Sequence, residues 1–272
     1  MIKKSALKTI ELEAKAIAGL SSSINADFEN AVTAIAQTKG RVVVSGIGKS
    51  AVIAQKIVAT FNSTGTPSIF MHAADAIHGD LGMVQSADIV VIISKSGESP
   101  EIKTLVPLIK KQAVCLMSIC GQANSFLARE SAYVFNTTVE KEACINNLAP
   151  TTSTTAQMVM GDAIAVCLMQ LRGFTGNDFA RFHPGGNLGK RLSLEVGDLA
   201  ALHELPMVLP TASLKEVIVE ITEKRLGVTA VVDTQQQVIG IITDGDLRRM
   251  LEKNEDIRNI HAADIMSPQP KT

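Results

Sequence analysis

From residue 39 to about residue 138 the chain alternates short apolar runs, rich in Val and Ile, with longer segments whose apolar positions recur at helical spacing. The runs cover 41–45, 68–71, 88–94, 113–118 and 133–135. Strands that are apolar without interruption are buried on both faces. The pattern therefore predicts an α/β fold with five parallel strands flanked by helices. Ligands of such sheets bind beyond the carboxyl ends of the strands, so the residues that follow each run carry the candidate chemistry. A long apolar helix is expected over 151–171, and then a Gly-rich loop from Phe174 to Leu192 that contains His183-Pro184-Gly185-Gly186. Downstream, 213–224 reads as a helix, 228–233 and 238–242 as short strands, and 244–252 as a helix. This second unit, roughly 60 residues, is too small to bury much alone. The expected divisions are 1–192, 193–260 and a short piece, 261–272.

Composition narrows the function. With 272 residues, 46% of them hydrophobic, the chain can bury a sizeable core. Its 26 Lys+Arg against 27 Asp+Glu provide no global field toward nucleic acid or an anionic membrane, so an anionic ligand has to be held by a local site. Aromatic residues are only 3%, with no Trp, which leaves almost no stacking platform for single-stranded nucleic acid. The four cysteines form no CxxC pair, and the N-terminal segment reads as an amphipathic helix with acidic residues rather than a signal peptide. No apolar run approaches the ~20 residues of a membrane span. The expectation is a protein of the reducing cytoplasm that binds neither nucleic acid nor membrane.

Three strand-end loops are candidates for an anion site. The first, Ser45-Gly46-Ile47-Gly48-Lys49-Ser50, leads into a helix whose free N–H groups and positive dipole end face the strand ends. Its glycines stand too close together for a Walker loop; a tight turn with a solvated lysine is the plain alternative. The second, Ser94-Lys95-Ser96-Gly97-Glu98-Ser99-Pro100-Glu101, sets Ser94, Ser96 and Ser99 before a helix, more hydroxyls than capping requires. The third is Thr151-Thr152-Ser153-Thr154-Thr155 at the head of the long helix. Together they describe a pocket for a small phosphorylated ligand. His72, His78 and His183 fall in loops assigned to the same edge, as do Glu101 and Glu142, although each alone is compatible with an ordinary structural or surface role. Cys144, beside Glu142, is a weaker nucleophile candidate.

Taken in order, residues 45–50, 63–67, 78–82, 96–98, 148–155 and 183–189 resemble the sugar isomerase (SIS) domain of arabinose 5-phosphate isomerases. The segments 142–150 and 177–183 look closer to the isomerases of capsule gene clusters than to the lipopolysaccharide form. Ile145 stands where many relatives have Pro, and Lys95 where Asn or Ala is usual. The resemblance implies interconversion of D-arabinose 5-phosphate and D-ribulose 5-phosphate, which supplies the precursor of the eight-carbon acid Kdo. It implies catalytic positions at Lys49, Glu101, Glu142 and His183, with His78 lining the site. Lys49 would hold phosphate and oxyanion, His183 and His78 would serve ring opening and proton transfer, and Glu142 is the rival base. Substrate contacts are implied at Ser50, Gly65, Thr66, His72, His78, Ser94, Ser96, Ser99, Thr151, Ser153 and Thr154. No cofactor is required; His72 is the expected ligand of an inhibitory zinc. A homotetramer is implied, in which His183 reaches a neighbour's site. Residues 205–249 resemble one CBS motif, with Thr211, Thr243 and Asp246 at positions that touch nucleotides, and 263–268 resemble the start of a second. Other readings are a sugar-phosphate sensor built on the same domain, or an isomerase for another sugar phosphate.

Overall fold

The computed structural model describes residues 1–112, 114–185, 197, 204–253 and 257–271. The chain divides into two units, 1–192 and 193–272.

In the first unit a parallel sheet runs in the order β2-β1-β3-β4-β5, formed by β1 (Val42–Gly46), β2 (Ser68–His72), β3 (Ile89–Ser94), β4 (Cys115–Cys120) and β5 (Tyr133–Asn136). Val42 of β1 aligns with Ser68 of β2 and Ile89 of β3, so the strand ends are level and define one carboxyl edge and one amino edge. Because side chains alternate along a strand, Val42 and Val44 enter one core with Ile89, Val91 and Ile93, while Val43 enters the other with Val90 and Ile92. This explains the uninterrupted apolar runs: each face has its own helices. One core is closed by α2 (Ala26–Gln37), α3 (Lys49–Ser63) and α7 (Thr152–Leu171), and the other by α5 (Pro100–Lys111) and the short α4 (Ala73–Ala76) and α6 (Phe126–Glu130). The helix α1 (Ile2–Gly19) lies against α7.

By length and hydropathy α7 is apolar enough to cross a membrane. Its Ala156, Met160, Ile164, Ala165 and Leu168 are nevertheless buried against the sheet, as in a core helix. It runs from the carboxyl edge to the amino edge, where Arg172 donates to the Gly65 carbonyl at 2.9 Å and to Thr66 Oγ1 at 2.7 Å.

The expected Gly-rich loop after α7 contains a helix, α8 (Gly176–Phe182). Thr175 and Asp178 form a reciprocal capping box that satisfies its first free N–H groups, a local signal strong enough to start a helix between glycines.

The second unit is a four-stranded sheet, β6 (Met207–Val208), β7 (Val228–Val232), β8 (Val238–Thr243) and β9 (Ser267–Pro268), with α9 (Leu214–Lys224), α10 (Asp244–Lys253) and α11 (Ala262–Ile265). Its core gathers Val208, Val217, Ile221, Val231, Ile242 and Ala262. Residues 262–268 pack into this unit: β9 pairs antiparallel with β8, and Ala262 is fully buried.

Candidate active site

The carboxyl edge collects most of the expected residues. Gly48 caps α3 with φ of +58°, a left-handed conformation that favours glycine, and this lets β1 turn directly into the helix. Lys49 follows as the first helical residue; its side chain is exposed and meets no partner among the described residues. Ser50 donates to Gln157 Oε1 of α7 at 3.3 Å. His72 ends β2, with Nδ1 3.6 Å from Asp75 Oδ2, and His78 is exposed after α4. Among the described residues no group of three or more metal-ligating side chains assembles, so His72 and Asp75 offer a zinc ion two donors rather than a closed site.

In the loop after β3, Ser94 Oγ accepts from Gly97 N at 3.0 Å and Ser96 Oγ from Glu98 N at 3.3 Å. Both hydroxyls shape the loop and retain their protons for donation. Ser99 Oγ is shielded and unpartnered, as is Ser45 Oγ at the end of β1. A buried hydroxyl without a partner is costly, and two of them, one at the end of β1 and one at the N-cap of α5, suit a polar ligand. Glu101 sits half-buried in the first turn of α5.

The third loop departs from its expected role. Glu142 is buried and its carboxylate occupies the head of α7. Thr151 N donates to Oε2 at 2.8 Å and Ser153 N to the same oxygen at 3.1 Å. Ser153 Oγ donates to Oε1 at 2.5 Å, Thr151 Oγ1 to Oε2 at 3.3 Å, and Lys95 Nζ lies 2.7 Å from Oε1. Thr154 Oγ1 is spent on the Thr151 carbonyl at 2.8 Å. The hydroxyls of Thr151 and Ser153 thus bond a protein carboxylate, that of Thr154 bonds the backbone, and the carboxylate itself caps the helix. The positive end of α7 is filled by the chain's own anion. Burial pushes the Glu142 carboxyl up, but the Lys95 ammonium, the Ser153 hydroxyl and the two backbone N–H groups outweigh it and hold the group at about 2. Cys144 Sγ accepts from Leu148 N and Ala149 N, each at 3.1 Å, and closes the turn that follows Glu142.

Gly65, Thr66 and His183 are not at this edge. Gly65 and Thr66 precede β2, at the amino edge, and Thr66 is fully buried. Phe174 and Phe182 cover Gly65 and stack on each other with centroids 6.1 Å apart. His183 follows Phe182 directly, its ring stacked on Phe179 at 3.9 Å and its Nδ1 2.9 Å from the Phe179 carbonyl. The α7 helix has carried the chain across the sheet, so His183 belongs to the amino edge of its own chain.

In the second unit Asp246 Oδ2 accepts from Thr243 N at 2.9 Å and Thr243 Oγ1 at 2.6 Å, and Arg249 Nη2 lies 2.6 Å from Oδ1. Both expected nucleotide contacts are engaged in capping α10. Thr211 is exposed in the turn after β6.

Two residues of the strand-end loops had no role assigned from the sequence: Lys95, whose partner is distant in sequence, and Ser45, which closes an apolar run and opens the first loop.

Residues 34–167 match the SIS domain family and residues 196–253 the CBS domain family. The chain is 47% identical over 264 residues to the arabinose 5-phosphate isomerase KdsD of Escherichia coli K12, covering 96% of this chain and 80% of the relative. To the Pseudomonas aeruginosa KdsD it is 47% identical over 269 residues, 98% of this chain and 82% of the relative. An Escherichia coli CFT073 protein solved in complex with arabinose 5-phosphate superposes with a TM-score of 0.65 at 40% identity, over 67% of this chain and 97% of that one.

Proposed function

The chain belongs to the arabinose 5-phosphate isomerase family, and we propose that it interconverts D-arabinose 5-phosphate and D-ribulose 5-phosphate through an enediolate, supplying the precursor of Kdo. One observation of the site carries the reading. A buried carboxylate, Glu142, stands at the same sheet edge as a serine loop and an exposed lysine, Lys49. The phosphate is the non-reacting handle: bound by the head of α3 and the Ser94–Ser99 loop, it anchors the sugar so that C1 and C2 are positioned for proton transfer. Lys49 supplies positive charge for phosphate and for the oxyanion that develops at the carbonyl.

A base works best with a pKa near the operating pH. Glu142, held at about 2, is a weak base in the free protein and a strong, fixed acceptor for a sugar hydroxyl or for a group that takes the proton. His78 and Glu101 at this edge and His183 at the opposite one are the further candidates for proton transfer. In the homotetramer we propose, His183 serves a neighbour's site, since it lies at the amino edge of its own chain. The chemistry uses no cofactor. A zinc ion taken by His72 and Asp75 would block the site rather than serve it. The absence of CxxC pairs and the balanced charge suit an enzyme of the reducing cytoplasm that handles free sugar phosphates.

The test is incubation of the pure protein with a panel of pentose and hexose phosphates, products identified by NMR. Interconversion of the two pentose phosphates is expected. Binding without turnover would replace the enzyme with a sensor, and turnover confined to a hexose phosphate would change the substrate.

A further inference from the structure

Lys95 belongs to the Ser94–Ser99 loop, yet its side chain leaves that loop and reaches a different element. The ammonium sits 2.7 Å from Glu142 Oε1, and the Lys95 side chain is 46% exposed where that of Glu142 is 0%. The other donors to this carboxylate, Thr151 and Ser153, belong to the head of α7. Asn147 Oδ1, in Glu142's own loop, accepts from Glu142 N at 2.7 Å. Lys8 of α1, Lys141 and Cys144 line a cavity together with Glu142, while the hydrogen bonds and ion pair to its oxygens come from Thr151, Ser153 and Lys95 among the described residues. Lys95 is therefore the one cation bonded to Glu142 among the described residues. It is also the one bond between the carboxylate and the loop that follows β3.

We propose that Lys95 is a positioning residue of the isomerase site, which ties the phosphate loop to the head of α7 and fixes the direction of the Glu142 carboxylate. The hydroxyls and N–H groups of Thr151 and Ser153 restrain Glu142 from the helix side only. The ammonium supplies the opposing restraint, and because its stem is solvated it can do so without burying a second charge. The loop and the carboxylate then move as one when a phosphorylated ligand enters.

This inference rests on the isomerase reading, and the experiment separates the two. Lys95→Met removes the charge and keeps the stem; Lys95→Arg keeps the charge. Removing the cation withdraws support from the ionised form, so the Glu142 titration moves upward and an acid limb enters the pH profile. Expected for Lys95→Met are a kcat at least tenfold lower at pH 7, an acid-side loss of activity that begins at higher pH than in the parent chain, and recovery to within about threefold in Lys95→Arg. In a Glu142→Gln background Lys95→Met should change the residual kcat by less than about twofold, since the residue it acts through is gone. Equal losses in both backgrounds, or an unchanged kcat and pH profile, overturn the inference. A carbon-13 titration of Glu142 in the folded protein reads the pairing without any substrate. Unchanged titration in Lys95→Met overturns the inference even if the enzyme is active, whereas a parent chain with no turnover overturns the isomerase reading itself.

Discussion

Gly161 of α7 faces Ile57 of α3, and the two helices approach so closely that a Cβ at position 161 would stand 2.4 Å from both Cγ1 and Cδ1 of Ile57. Carbon atoms in contact prefer about 3.5–4.0 Å, so Gly161→Ala demands a shift of about 1 Å. Ile57 is only 1% exposed and packed in the core with Phe61, Ile164 and Leu168, and a β-branched side chain in a helix has one strongly preferred rotamer. It has nowhere to turn. Two effects oppose each other: alanine is worth up to about 1 kcal/mol over glycine inside a helix, and overpacking a well-filled core costs about 1–3 kcal/mol. With two atoms in conflict the upper part of that range applies, so the net effect is destabilising by about 1–2 kcal/mol. For a unit of this size that lowers Tm by roughly 2–8 °C in calorimetry. Ile57→Ala deletes both atoms in conflict, so in that background Gly161→Ala should become neutral or stabilising, with a coupling of about 2 kcal/mol between the sites. A rise in Tm for Gly161→Ala alone, or the same cost in both backgrounds, would refute the close-approach argument. Because α3 carries Lys49 and α7 carries the Glu142 cage, prying them apart should also lower kcat/KM, by about tenfold.

Lys49→Ala should lower turnover at least about a hundredfold while Tm changes by less than about 1 °C, because the side chain is exposed and unpartnered among the described residues; near-normal kcat/KM with ribulose 5-phosphate removes Lys49 from the mechanism. Glu142, held at about 2 against an ordinary 4.5, stabilises the fold by about 3 kcal/mol above pH 4.5. A depressed carboxylate gives up that stability as pH falls through its folded value, so the advantage of the parent chain over Glu142→Gln in denaturant titrations should be full at pH 6 and vanish toward pH 2; a pH-independent difference would contradict the cage. With Thr243 and Asp246 engaged in capping α10, millimolar ATP or AMP should leave both activity and Tm unchanged, and a severalfold effect on activity would show that this cap opens to bind nucleotide.

Much of the fold was written in local pattern. Uninterrupted Val and Ile runs demand cover on both faces, and five of them separated by helical segments allow little besides a parallel sheet, whose strand ends then mark where Lys49, Ser94 and Ser99 must lie. The helix α8 was also legible, in the Thr175 and Asp178 capping pair, but the surrounding glycines masked it. The partners of the functional side chains were not legible. Period and caps record interactions among residues a few positions apart, while Lys95 meets Glu142 from another loop and Arg172 meets Thr66 across a whole helix. Nothing in the hydroxyl-rich run 151–155 distinguishes a phosphate cradle from a cage for a buried carboxylate; burial of Glu142 decides it, since a desolvated charge recruits every donor within reach. The edge to which His183 belongs was likewise settled only in three dimensions, because a helix of 20 residues carries the chain about 30 Å, far enough to cross the sheet from one end of its strands to the other.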